Sequence, residues 1–253
     1  MSGHLIAFVA SFLAGATNAI AGGGTLITFP ALVWLGLDPL SANITNTVSL
    51  WIGPLMGAFG FREHIKAGRR YLRPLLLPSL LGGFAGAYLL VNTPVQTFKF
   101  LVPFLILFAT LLLAINDKVV VWAEKNLRGK YSSWVFLVQF LTAVYGGYFG
   151  AGMGIIVLAS LSMIGIADIH IANGIKNLLG MLVNGIASGY FAFSKHVVWE
   201  YIPTLMLGFA LGGYAGARLS LMFDRKKIKL FVILWGFILS LFFFVSYKIS
   251  GNS

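Results

Sequence analysis

Gly22, Gly23 and Gly24 interrupt the apolar run AIAGGGTLITFP at 19–30, with Asn18 and Thr25 on either side. Glycine weakens a helix interior, so three in a row imply a deliberate break. Where a helix restarts, its free amides and aligned peptide dipoles favour negative charge. A second cluster, GAGMGIIVLAS, sets Gly150, Gly152 and Gly154 in a similar context. Polar side chains gather nearby: ANITNT carries Asn43, Thr45, Asn46 and Thr47, and ANGIKNLLG carries Asn173, Lys176 and Asn177. Lys176 is the Lys or Arg that lies well inside an apolar stretch rather than at a loop. An ionisable group there is costly and marks a functional position, the alternative being a lysine that snorkels to the outer interface. The Asn and Thr residues fit donors to an anion, and they equally fit helix caps and interhelical hydrogen bonds.

Other chemistries lack their residues. There is no cysteine, and the four histidines and seven acids show no metal-ligand spacing. No HExxH, GxSxG or P-loop pattern occurs, so an intramembrane enzyme is disfavoured and no cofactor or metal is expected. Asp38 and Asp168 fall in turns, where helix capping accounts for them. No acid sits in the middle of an apolar segment, which argues against proton coupling. An exported anion needs none, because leaving an inside-negative cell yields about 2.3 kcal/mol per charge per 100 mV.

These residues are carried by a chain of 253 residues that is 58% hydrophobic and 10% charged, with a mean hydropathy of +0.90. A soluble domain carries about 25% charged residues; this is a polytopic membrane protein. Its net charge of +11 is explained by basic cytoplasmic loops rather than by nucleic-acid binding. The first apolar stretch resembles a signal peptide but has no Lys or Arg before it, and a later segment matches it, so it is read as part of the mature fold.

A single shift aligns two halves. Gly82-Gly83-x-x-Gly86-Ala87 meets Gly212-Gly213-x-x-Gly216-Ala217, Ala42-Asn43 meets Ala172-Asn173, Asp38 meets Asp168, and Lys99 meets Lys229. The expected fold is an all-α polytopic membrane protein of two repeats, 1–125 and 131–253, each with about five helical segments. The first-half segments are expected at 4–21, 25–37, 43–61, 74–92 and 97–115. Those of the second half are expected at 133–151, 155–167, 171–191, 203–221 and 230–247. The second of each set has about 13 residues, some 20 Å as a helix and short of a full crossing. Each repeat should therefore begin with a Gly-broken or re-entrant helix. Basic loops follow the third and fifth segments of the first half but the fourth of the second half. The positive-inside rule then gives the repeats inverted topology, with both termini outside. Breaks at equivalent positions of inverted repeats point to a transporter site. The glycines at 82, 86, 212 and 216 are instead read as helix-packing positions.

The stretch AIAGGGTLITFPALVWLGL, the AxxxTN element after it, and GGYFGAGMGIIVLAS…DIHIANGIKNLLG resemble the sulfite exporter TauE/SafE family of bacterial membrane proteins. The likeness runs through both halves. It implies export of sulfite, sulfoacetate or other organosulfonates across the inner membrane. Carried over by motif, Gly22, Gly23, Gly24, Thr45, Asn46, Lys176 and Asn177 become site residues. The chain departs from the family pattern at Asn18, where many members have an acid, and at Thr47, where many have a lysine. The partners implied are a small anionic substrate and the lipid bilayer, with a homodimer left open and no nucleic acid. An anion channel is the alternative, and a subunit without transport would not need paired polar breaks.

Overall fold

The computed structural model describes residues 2–20, 22–127, 133–166, 168–219 and 225–250, and every regular element among them is helical. In the first half α1 is Ser2–Ile20, α2 Thr25–Trp34, α3 Pro39–Leu50 and α4 Ile52–Gly60. It continues with α5 Arg62–Ala67, α6 Arg69–Val91 and α7 Val95–Leu127. In the second half α8 is Ser133–Tyr148, α9 Met153–Met163, α10 Ile169–Phe191, α11 Ile202–Leu219 and α12 Arg225–Ser250, with a 3-10 turn at Trp199–Tyr201.

The helices start and stop for local reasons. Asp38 Oδ1 accepts from the amides of Leu40 and Ser41 at 3.0 and 3.1 Å, and Pro39 pre-sets the first turn of α3. Asp168 caps α10 in the same way, accepting from His170 N at 2.7 Å and Ile171 N at 3.2 Å. Those bonds, Ile171 first and His170 second, hold the Asp168 carboxyl below its ordinary value. Asp168→Ala is expected to cost about 1 kcal/mol in thermal unfolding at neutral pH. Because the folded-state value is lowered, the contribution is complete above the ordinary carboxylate range. It is lost as pH falls through the lowered value, where wild type and variant should converge. The short helices α2 and α9 end alike, on backbone bonds from Leu37 N to Leu32 O (3.2 Å) and from Ile166 N to Leu161 O (3.1 Å).

Two segments differ most from the expectation, while α6 begins at Arg69 rather than 74 and α12 at Arg225 rather than 230. The third, expected as one helix over 43–61, is two helices parted at Trp51. Pro54 has no N–H to offer Leu50 O, and the next bond is Leu55 N to Trp51 O at 3.2 Å. The fifth, expected to stop at 115, continues as α7 to Leu127. Hydropathy ends where the apolar stretch ends, but the polar residues that follow still favour helix. Asp117 on this extension pairs with Lys229 on α12 at 2.8 Å. The rest of that basic loop, at 128–132, lies outside the described residues.

Helix α1 packs along α11, and α6 packs along α8. The short helix α2 lies against α1 and α3, and α9 against α8 and α10. Helices α7 and α12 pack on each other, and α10 crosses both α3 and α4. Exchanging the two halves maps these pairings onto themselves. Among the described residues, three helical stretches are long and apolar enough to cross a bilayer: Arg69–Val91, Val95–Ile115 and Lys229–Tyr247. Their outer faces carry exposed large apolar side chains, including Leu77, Leu81 and Phe84 on α6 and Leu234, Ile238 and Leu241 on α12. A continuous apolar surface of this kind fits hydrocarbon, not water. The interior holds a different set: Asn43, Thr45, Asn46, Thr47, Asn173, Lys176 and Asn177 are all buried.

Candidate functional site between the broken helices

The first break ends α1 by turning the chain. Gly22 and Gly23 take φ of +84° and +86°, values that a side chain would strain. Gly22 N donates back to Thr17 O at 3.1 Å. In a continuing helix the amides of residues 22 and 23 would bond Asn18 O and Ala19 O. Here Lys176 takes their place: its Nζ donates to Asn18 O at 3.1 Å and to Ala19 O at 3.2 Å. Lys176 rises from α10 and is only 4% exposed, so its ammonium is held inside the bundle rather than carried out to an interface. The negative end of the α1 dipole favours a cation at this place. The stem crosses α9 at Gly154, where an added Cβ would stand 3.1 Å from Lys176 Cδ.

The second break repeats the geometry with neutral partners. Gly150 and Gly152 take φ of +79° and +76°, and Gly150 N donates to Tyr145 O at 3.1 Å. The last carbonyl of α8, Tyr148 O, accepts from Asn43 Nδ2 at 2.9 Å. Tyr148 stands opposite Asn18 under the shift that aligns the two halves of the sequence. Each half-helix end is thus capped by a side chain from the third segment of the other half, with charge at one end and an amide at the other.

Between the breaks lies a narrow cavity of about 20 Å³, room for roughly one water. Of the residues expected from the sequence it is lined by Asn18, Gly150, Gly154, Lys176 and Asn177. Asn177 is 2% exposed and its Nδ2 has no protein partner. A buried amide donor left open costs free energy unless something accepts from it. Leu50, Pro54, Met153, Gly180 and Asn184 complete the lining. Asn184 follows Asn177 and Gly180 at helical spacing on the same face of α10, a signal legible in the sequence. Its Nδ2 donates to Gly180 O at 2.9 Å.

The other expected residues lie outside this cavity. Asn46 Oδ1 accepts from Thr28 Oγ1 at 2.5 Å, and Thr47 Oγ1 donates to Asn43 O at 2.9 Å. Thr45 Oγ1 accepts from Val198 N at 3.0 Å. Thr25 is buried at the start of α2, and Asn173 is buried with its Oδ1 unpartnered. Gly23 and Gly152 shape the breaks, and Gly24 lies so close to Ala14 that an added Cβ would stand 3.0 Å from its carbonyl carbon. Among the described residues, no three His, Asp or Glu converge as a metal would need.

An all-helical bundle with bilayer-length apolar helices and a buried polar cavity between two broken helices defines a polytopic integral membrane protein. Its particular kind follows from comparison: the chain belongs to the sulfite exporter TauE/SafE family, whose sequence profile matches residues 7–243. It is 29% identical over 238 residues to a "Probable membrane transporter protein" of Haemophilus influenzae, covering 93% of this chain and 90% of that one. It is 28% identical over 231 residues to "Probable membrane transporter protein ORF9" of Sinorhizobium sp, covering 89% and 87%. It is 24% identical over 245 residues to "Probable membrane transporter protein YfcA" of Escherichia coli K12, covering 93% and 87%. No solved structure matches the chain. Membership makes it a membrane transporter of the TauE/SafE type.

Proposed function

We propose that the protein exports small sulfur-containing or organic anions, such as sulfite, sulfoacetate or another organosulfonate, across the bacterial inner membrane. The observation that carries this reading is the cavity between the two breaks, where a buried lysine stands beside the open amide donor of Asn177. A positive centre and a donor without an acceptor suit an oxyanion. Two halves, 1–125 and 131–253, form the carrier as inverted repeats, with both termini on the periplasmic side. The support is the half-exchange symmetry of the helix pairings and the asymmetric placing of the basic loops. A cavity too small for a sulfonate favours a carrier, which must rearrange to load its substrate, over an open anion channel.

Purified protein in liposomes loaded with sulfite, sulfoacetate, taurine or sulfate tests this under imposed voltage and imposed pH gradients. The expected result is saturable efflux of a sulfur oxyanion that follows voltage, by about 2.3 kcal/mol per charge per 100 mV. Efflux that ignores voltage and follows the pH gradient would overturn uncoupled anion export. Non-saturating flux at channel rates would replace the carrier with a pore.

A further inference from the structure

Asn18 O and Ala19 O are the carbonyls that the turn at Gly22 and Gly23 leaves without helical amides, and both accept from one ammonium. The ammonium arrives through a slot that exists because residue 154 has no side chain. A Cβ there would stand 3.1 Å from Lys176 Cδ and 3.5 Å from its Cγ. At the other break the equivalent carbonyl is met by the neutral amide of Asn43. The carbonyl end of a helix carries partial negative charge, and in carriers with interrupted helices such ends hold coupling cations.

We propose that Asn18 O and Ala19 O form a monovalent-cation site of ammonium type, filled by the chain's own Lys176, so that the carrier needs no cation from solution. The site itself follows from the geometry of α1, Gly154 and Lys176, while its consequence for flux rests on the anion-export reading. Lys176→Ala removes Cγ, Cδ, Cε and Nζ, the heavy atoms of n-propylammonium, and leaves the slot open. Lys176→Met fills the slot with a neutral chain of similar length.

Wild type and both variants are heated in choline chloride, then with n-propylammonium, potassium or sodium replacing choline. Wild type and Lys176→Met are expected to unfold at the same temperature in all four salts. Lys176→Ala is expected to unfold about 3 °C higher with n-propylammonium at ten times its Kd than in choline. In liposomes the same salt should raise anion flux through Lys176→Ala about tenfold, the worth of one charge-assisted hydrogen bond. Wild-type flux should be equal in sodium and choline.

An alanine variant indifferent to all four salts overturns the proposal. So does a methionine variant that responds as strongly, or a wild type whose flux needs sodium. If Lys176→Ala folds only when n-propylammonium is present, the site stands. If neither it nor Lys176→Ser folds in any salt, the proposal fails. A thermal response in Lys176→Ala without anion flux in wild type keeps the cation site and removes the export reading. Wild-type flux without that thermal response does the reverse.

Discussion

Lys176→Met is expected to lower anion flux about a hundredfold in choline, with the protein still folded and monodisperse. Methionine keeps the stem packed over Gly154 and removes only the ammonium. Asn18 O and Ala19 O then both lose the ammonium they share, and the negative end of α1 faces the cavity without it. A hydrogen bond to a charged group contributes about 1.5–3 kcal/mol, and about 2.7 kcal/mol corresponds to a hundredfold. The loss should fall on apparent affinity and on maximal rate, because the same charge orders the break and attracts the substrate. Lys66→Met is the matched control, since Lys66 is exposed on α5 and pairs with Glu63 at 3.3 Å. An exposed pair of this kind is worth little, so that variant should transport normally. Flux within threefold of wild type in Lys176→Met would mean that the buried charge serves packing alone.

The helix breaks were legible because glycine clusters are rare in apolar runs, and the spacing of the caps Asp38 and Asp168 marked where the third segments begin. What the break presents was not legible. The glycine run suggested amides offered to an anion. Backbone torsions at Gly22 and Gly23 also leave the carbonyls of Asn18 and Ala19 at the end of α1, and those accept from the lysine. The polar stretch ANITNT shows why type and proximity alone could not pick out the lining. Thr47 donates to Asn43 O, and Asn46 and Asn177 each keep a buried Nδ2 without a protein partner, but of these Asn177 alone lines the cavity. Pro54, which follows the parting of α3 from α4, lines that cavity beside Asn177 and Gly180. A proline at 54 was visible in the sequence; the kink it would impose on the site was not.

Gly86→Leu is expected to abolish recovery of folded protein, and Gly189→Leu, on the same scale of substitution, to be tolerated. At position 86 a Cβ would meet the backbone of α8, standing 2.8 Å from Tyr148 N and nearer still to Val144 O. Backbone cannot give way as a side chain end can, so α6 and α8 would have to separate along their length. In a bilayer no hydrophobic driving force brings them back, since lipid tails are as apolar as leucine; close packing itself holds the pair. Gly216, which the same sequence shift aligns with Gly86, faces Ala16 on α1 with a Cβ 2.6 Å from its Cα, and Gly216→Leu should fail in the same way. Gly189 has nothing within 4 Å and sits on the exposed side of α10. Leucine there should gain helix propensity, about 0.5–1 kcal/mol over glycine. Yield of monodisperse protein by size exclusion, followed by thermal unfolding of whatever is recovered, checks both. A Gly86→Leu protein that folds normally yet no longer transports would change the meaning of these glycines. The close face between α6 and α8 would then be a surface that slides during transport, rather than one that holds the bundle together.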